Sequence, residues 1–328
     1  MRRGISIVLP VYNERESIGP LLKELDPVVS TLNYEVEVIA VNDGSRDGTT
    51  EELDRLAGDY PYLKIIHFRK NEGQTAAFDA GFQYSQFEIV ITMDADGQND
   101  PADIPKMVAL IEEGCDFVSG WRRKRRDSWL RTIPSRLANR LIRLVTGTHL
   151  HDLGCSLKAY RSEFVKELRL FGEMHRFIGV LMVQSGARTQ EMEVNHRPRE
   201  LGQSKYGIFR TFKVLVDLVT VWFMRGFGQK PSYVFSGVGG LLLASSVLLS
   251  IFVLWQKFQF GYWVHRNPLF MIGIFIALAG IQFVGLGLLA EISIRTYHDA
   301  AQVPTYRIAR LTGFDQDQQD NLRRLANQ

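Results

Sequence analysis

From Tyr233 to Trp255 the chain runs for 23 residues without a charged side chain, and from Asn267 to Ala290 for another 24. A bilayer's hydrocarbon core, about 30 Å thick, is crossed by roughly 20 helical residues, so each run is long enough to span it. Buried helices of a soluble core are the alternative, but such helices seldom run past about 18 residues with no charge. The two runs therefore read as membrane spans. A mean hydropathy of −0.08 conceals them, because a polar N-terminal part offsets their apolar character. The N-terminus, MRRGISIVLPVYNE, is not read as a signal peptide, since its apolar run is short and stops at Pro10.

Basic residues orient the spans. Arg210, Lys213, Arg225 and Lys230 precede the first, and Arg295, Arg307 and Arg310 follow the second, whereas segment 256–266 between them contributes only Lys257 and Arg266. This asymmetry predicts a multi-pass protein of the inner (plasma) membrane with both termini and the large N-terminal part in the cytoplasm. At 45% apolar and 23% charged residues the chain is not a disordered one. Two cysteines, Cys115 and Cys155, cannot build a disulfide framework. A net charge of +3 does not point to nucleic acid. Glycines 237, 239, 240, 280, 285 and 287 permit close helix packing and predict a homo-oligomer.

Before residue 120, the runs ISIVLPVY, VEVIAVN, LKIIHF and EIVITMD are β-branched and nearly continuous, as strands buried on both faces are. Between them 15–31, 48–59 and 73–85 carry helical spacing, with start signals at Ser45, Asp47 and Thr49. This alternation predicts a parallel sheet covered by helices on both sides, with ligands bound beyond the carboxyl ends of the strands. Those ends are polar: Tyr12, Asn13 and Glu14; Asn42 and Asp43; Asn71 to Gln74; Asp94 to Gln98. Neither GxGxxG nor GxxxxGK[ST] is present, so a dinucleotide cofactor and a P-loop are not expected. In MDADGQND, Asp94 and Asp96 reach one small volume at a strand tip, where two carboxylates repel unless a cation lies between them. Oxygen ligands from Asp96 and Gln98, completed by a diphosphate, suit Mg²⁺ or Mn²⁺. Asp43 reads equally as a turn or helix-capping residue, and Glu14 as a helix-start acid.

Taken in order, VLPVYNE, VNDGSRDGT, NEGQTAAFDAG, MDADGQNDP and RELGQSKYG resemble the family-2 inverting glycosyltransferases. Within them the chain is similar to the polyprenyl-phosphate glycosyltransferases, a group of dolichol-phosphate mannose synthases and bactoprenol glucosyltransferases. The resemblance implies an α/β, GT-A (Rossmann-like) nucleotide-sugar domain with amphipathic interface helices and two C-terminal transmembrane helices. It implies domains at 1–207 (with an acceptor helix at 128–146), 208–230, 231–295 and 296–328, the last a cytoplasmic tail. Carried over by position, Pro10, Tyr12 and Glu14 would line the nucleoside pocket, Asp43 would meet the base, and Gly73 and Gln74 would close the base and ribose pocket. Asp94 would face sugar and ribose, and Asp96 and Gln98 would hold the metal. Asp152 falls where the family places an acidic residue beside the acceptor, and Arg131 and Ser135 where it binds the acceptor phosphate, with Arg122 joining them. Arg199, Ser204 and Lys205 would close over the leaving diphosphate.

Two basic elements support a membrane-surface acceptor. Residues 122–143 carry nine arginines and lysines against the single acid Asp127, with Leu130, Ile133, Leu137, Leu141 and Leu144 on one helical face. A second amphipathic helix is predicted at 208–225, with Arg210, Lys213, Asp217 and Thr220 as a polar stripe. A phosphate monoester, with a second pKa of about 6, is largely dianionic at neutral pH and needs little help from a base. Asp152 therefore reads as a residue that positions substrate or takes a proton only from the monoanion, and His149 and His151 as structural. The expected reaction is transfer of a hexose, glucose from UDP-glucose, to undecaprenyl phosphate. Alternatives are GDP-mannose as donor, a processive polysaccharide synthase (whose QxxRW motif is missing), and a membrane-anchored nucleotide-sugar sensor without turnover.

Overall fold

The computed structural model describes residues 2–123, 148–168, 170, 174–198, 231–261, 263–300 and 306–314. The expected elements at 128–146 and 208–230 lie outside these, as do Arg131, Ser135, Arg199, Ser204 and Lys205. The chain divides into two compact units, Met1–Val219 with Val303–Gln328, and Thr220–Gln302.

In the first unit the alternating pattern becomes β1 (Arg2–Val11), α1 (Arg15–Thr31), β2 (Val36–Asn42), α2 (Thr49–Asp59), β3 (Leu63–Phe68), α3 (Gln74–Tyr84) and β4 (Phe87–Thr92). Then come α4 (Ile104–Glu112), β5 (Phe117–Trp121), β6 (Lys158–Arg161), α5 (Ser162–Glu167), α6 (Ile178–Gln184), β7 (Thr189–Glu193) and β8 (Ile308–Thr312). All eight strands form one sheet in the order β7-β5-β6-β4-β1-β2-β3-β8. The expected parallel pairing is found through β3-β2-β1-β4 and again in β5-β7. Two strands depart from it: β6 is antiparallel to both β4 and β5, and β8 is antiparallel to β3. The sheet is therefore mixed.

One face of the sheet carries Ile5, Ile7, Leu9, Val38, Ala40, Ile89 and Ile91 against Ile18, Leu22 and Leu25 of α1 and Ile104, Met107 and Ile111 of α4. The other packs Ile39, Val41 and Ile66 against Ala76, Ala77 and Ala80 of α3. Small residues on α3 let it lie close: a Cβ added at Gly81 would sit 2.1 Å from Val8. β8 falls within the segment 296–328 that the sequence predicts as a tail. It brings Tyr306 onto Phe68 (ring centroids 5.1 Å) and Phe314 onto Tyr84 (5.8 Å).

The second unit consists of α7 (Pro231–Phe260) and α8 (Pro268–Ala300). Within them Phe235–Phe260 and Pro268–Ala290 are long and apolar enough to cross a membrane. Gly239 and Gly280 face each other: a Cβ at Gly239 would lie 2.7 Å from the Gly280 carbonyl, and one at Gly280 would lie 3.0 Å from the Gly239 carbonyl. Ser246 donates to the Gly273 carbonyl at 2.9 Å, a buried interhelical bond. Among the described residues nothing lies within 4 Å of a Cβ built at Gly237, Gly240 or Gly285. Leu241, Leu248, Phe258, Phe275 and Leu289 point outward, an apolar surface far beyond what water tolerates. Trp255, Phe258, Phe260 and Trp263 gather at the turn between the helices, as aromatic residues do at a membrane interface.

Candidate active site

Four loops meet at the carboxyl ends of β1, β2, β3 and β4, and each sequence-predicted residue among the described ones belongs to this edge or its neighbours β5 and β6. The loops after β1 and β2 are stitched together. The Asn13 and Glu14 amides donate to Ser45 Oγ (2.9 Å) and Thr49 Oγ1 (3.0 Å), and Asn13 Oδ1 accepts from the Arg46 amide (2.8 Å). Asn13 adopts a φ of 52°, a conformation that Asn tolerates better than most residues. Asp47 caps α2, with Oδ1 accepting from the Thr49 amide at 3.1 Å. Glu14 stands at the start of α1, where its carboxylate accepts from Ser17 Oγ at 2.6 Å. Pro10 lies on β1 beside Val41 of β2, and Tyr12 follows at the tip.

Asp43 organises the third loop. Its Oδ1 accepts from the Glu72 amide (2.7 Å), and its Oδ2 accepts from the Gly73 amide (3.0 Å) and Asn71 Nδ2 (2.9 Å). Burial pushes its pKa up to about 6, against the pull of those backbone donors. The residue expected to meet the base thus holds residues 71–73 in place. Gly44 is required beside it: at φ 64° a Cβ would lie 2.4 Å from the Lys70 carbonyl carbon.

Gln74 and Asp94, expected separately, are joined: Gln74 Nε2 donates to Asp94 Oδ1 at 2.8 Å. Burial raises the Asp94 pKa, while a hydrogen bond from Ser156 and the charges of Arg122 and Lys158 pull it down. Ser156 is itself held by Asn99 Nδ2 at 2.8 Å, and its carbonyl accepts from Thr92 Oγ1 at 2.7 Å. Asp96 and Gln98 flank Gly97 (φ 73°) in a tight turn, where Asp96 Oδ1 accepts from the Gln98 amide at 3.1 Å.

Does this turn fit a divalent cation? A carboxylate and an amide oxygen two residues apart are hard oxygen donors of the right kind. Among the described residues no cluster of three or more His, Cys, Asp or Glu side chains could cage an ion by itself. A cation held there would take its other ligands from water and a substrate diphosphate. The residues fit.

Beyond Asp94 the edge continues into β5 and β6. Arg122 forms a two-pronged pair with Asp152, Nε to Oδ2 at 2.8 Å and Nη2 to Oδ1 at 3.0 Å, and its amide also donates to Oδ2 at 3.2 Å. Burial disfavours the guanidinium charge, but this pairing outweighs it and keeps Arg122 firmly protonated. Both carboxylate oxygens of Asp152 are thus engaged by Arg122. Lys158, buried on β6 opposite Thr92, donates to the Leu153 carbonyl at 3.3 Å. Burial lowers its pKa, while Cys155, Asp152 and Asp94 raise it. The Cys155 thiol, pushed by burial up to about 11, stays neutral. Arg122 and Lys158 thus both lie close enough to Asp94 to favour its charged form. His149 and His151 are structural as expected: the first meets Thr189 Oγ1 at 3.0 Å, the second pairs with Glu191 at 2.7 Å and stacks on Trp121.

Sequence reading missed four members of this neighbourhood. Ser156 and Lys158 sit in GCSLKAYR, where a lone lysine inside an apolar strand was the available signal. His175, whose Nδ1 lies 2.7 Å from Thr75 Oγ1 beside Gln74, had none, nor had Arg197.

The described residues form a mixed α/β sheet of the GT-A kind whose strand tips carry acidic turns, with Asp96 and Gln98 in one of them. The chain matches Glycosyl transferase family 2 over residues 6–169 and belongs to that family, so it is a glycosyltransferase. It is 40% identical to the dodecaprenyl-phosphate galacturonate synthase of Rhizobium johnstonii, over 96% of this chain and 94% of that one. It is 36% identical to the undecaprenyl-phosphate 4-deoxy-4-formamido-L-arabinose transferase of Proteus mirabilis, over 94% of each. Its fold is similar to that of glucosyl-3-phosphoglycerate synthase from Mycobacterium tuberculosis in complex with Mn²⁺ and UDP-glucose (TM-score 0.53, 19% identity, 68% of this chain and 79% of that one).

Proposed function

We propose that this protein transfers a hexose from a uridine diphosphate donor to a polyprenyl phosphate at the cytoplasmic face of the membrane, inverting the anomeric centre. The carrying observation is the strand-tip constellation of Asp43, Gln74, Asp94, Asp96 and Gln98 in a chain that resembles polyprenyl-phosphate sugar transferases over nearly its whole length. α7 and α8 are proposed as two spans, with both termini cytoplasmic, so that soluble donor and lipid acceptor meet at the headgroup layer. The sugar is proposed as glucose, with galacturonate, which the name of the 40% identical relative carries, as a second sugar to test.

In this reading the nucleoside lies over the loops built by Asp43, with Pro10, Tyr12 and Glu14 beside it. Asp94, fixed by Gln74, faces the sugar and ribose. Asp96 and Gln98 would hold Mg²⁺ or Mn²⁺, which when bound offsets charge on the departing diphosphate. Arg122, aimed by Asp152, receives the acceptor phosphate together with Arg131 and Ser135. That phosphate, with a second pKa of about 6, arrives already charged, and one of its oxygens attacks the anomeric carbon as the nucleoside diphosphate leaves. Arg199, Ser204 and Lys205 are proposed to close on the leaving group.

The test is a transfer assay on the full chain in detergent, with undecaprenyl phosphate, Mg²⁺ or Mn²⁺, and UDP-glucose, UDP-galacturonate or GDP-mannose in parallel. Asp96→Asn is expected to lower the rate at least about a hundredfold, since Lewis-acid assistance is worth several kcal/mol and about 1.4 kcal/mol is tenfold. Transfer that survives both this substitution and chelation removes the metal role. Labelled sugar appearing only on soluble acceptors removes the lipid one, and no transfer at all returns the sensor reading.

A further inference from the structure

The segment Asn195–Arg197 is fastened to the far side of the turn that carries Asp96 and Gln98. Asn99 and His196 form an antiparallel bridge. The Arg197 amide donates to the Gln98 carbonyl at 2.9 Å, and Gln98 Nε2 reaches back to the Arg197 carbonyl at 3.5 Å. That second contact places the Gln98 amide nitrogen beside the Arg197 carbonyl. The Arg197 guanidinium spans two carboxylates, Glu24 of α1 at 2.6 Å and Asp100 at 2.9 Å. Asn195 completes the attachment, its amide donating to Asp103 at 2.8 Å and its Nδ2 to Asp100 at 2.9 Å.

An exposed ion pair on its own contributes little. Here, however, one residue contacts the turn through its amide, its carbonyl and its side chain, and anchors it to a helix 173 positions earlier in the chain. We propose that Arg197 is a positioning residue for the cation site: with Glu24 and Asp100 it fixes the turn so that Asp96 and Gln98 present their oxygens together. This rests on the reading above that those two residues hold the metal. Partners one layer behind metal ligands, which orient them without touching the ion, typically change metal affinity by about 10–100-fold when removed.

The experiment measures Mn²⁺ binding to the full chain in detergent, from the electron paramagnetic resonance signal of free Mn²⁺, with UDP present. UDP affinity without metal is measured separately by calorimetry. Arg197→Ala is expected to raise the Mn²⁺ dissociation constant about tenfold, and Glu24→Gln by a smaller factor, while metal-free UDP affinity changes less than about twofold. Arg197→Lys, which keeps the charge but not the two-pronged span, is expected to fall between wild type and Ala. If Arg197→Ala does not yield folded protein, Glu24→Gln and Arg197→Lys decide, and a wild-type Mn²⁺ constant in both overturns the proposal. An equal loss of metal-free UDP binding also overturns it, because the residue would then be supporting the pocket in general. If wild-type protein binds no Mn²⁺ in the presence of UDP, the functional reading itself fails and takes this inference with it.

Discussion

Asp43 holds residues 71–73 with one carboxylate, and its environment makes its proposed part in nucleotide binding testable. Three donors from residues 71–73 converge on it, yet burial lifts its pKa to about 6. Because the folded value lies above the ordinary 3.8, the fold takes up a proton more readily than the unfolded chain does. Its contribution to stability is therefore greatest at low pH, declines as pH rises through about 6, and is constant above that. Nucleotide binding is expected to run the other way, because protonating Asp43 disturbs the donors that shape residues 71–73. UDP affinity measured by calorimetry should drop as pH falls through about 6. Asp43→Asn should flatten that dependence and bind UDP more weakly at every pH, since its amide nitrogen would face donors, at a cost of about 1–3 kcal/mol. An unaltered pH profile in the variant assigns the titration elsewhere. Arg122 and Asp152 form the second residue-scale unit. Arg122→Lys and Asp152→Asn are each expected to raise the KM for lipid acceptor more than that for donor. Their double variant should be little worse than either single, because both remove one paired structure. Multiplying losses, or a donor-dominated effect, would separate Asp152 from Arg122.

At the scale of elements, the parallel strands β1 to β4 and their helices were legible because doubly buried strands are continuous apolar runs and their ends are polar. β6 and β8 were not. KAYR is too short to show a period, and IARLT follows a span and precedes a Gln- and Asp-rich end, so it resembles a tail. What makes it a strand is an open edge on β3 and a charged neighbourhood. Arg310 lies between Asp54 and the buried His67, whose Nε2 is 3.3 Å from Asp54. Burial, reinforced by the charge of Arg310, holds His67 below its usual pKa, with Asp54 opposing. Removing residues 306–328 should expose the edge of β3 and the Phe68 and Tyr84 rings. The truncated chain is expected to aggregate on size exclusion, while Arg310→Ala lowers Tm by a few degrees. A truncated protein with wild-type Tm and elution would reduce β8 to an ornament of the sheet.

At the scale of the whole chain, each unit has its own packing logic. The sheet unit buries apolar side chains away from water; the helical unit exposes them and is held by close backbone approach and an interhelical Ser246–Gly273 bond. Lipid removes the hydrophobic drive between helices, so small residues at the crossing matter most. Gly239→Leu or Gly280→Leu should lower thermal stability in detergent markedly, whereas Gly237→Leu, at an open position, should leave it within error. Equal effects at all three positions would mean that the crossing lies elsewhere.

Two properties were decided by order along the chain alone: uncharged runs long enough for a bilayer, and acidic turns at the ends of buried strands. Both are local, since run length and burial periodicity depend on neighbours in sequence. Which groups touch was not decided there. The pairing of Gln74 with Asp94, of Arg122 with Asp152, and of Arg197 with Glu24 joins residues separated by 20, 30 and 173 positions. Polar partners at such distances are selected by where the sheet's strand order places them, and a strand order that folds β6 between β4 and β5 leaves no periodic trace in the sequence.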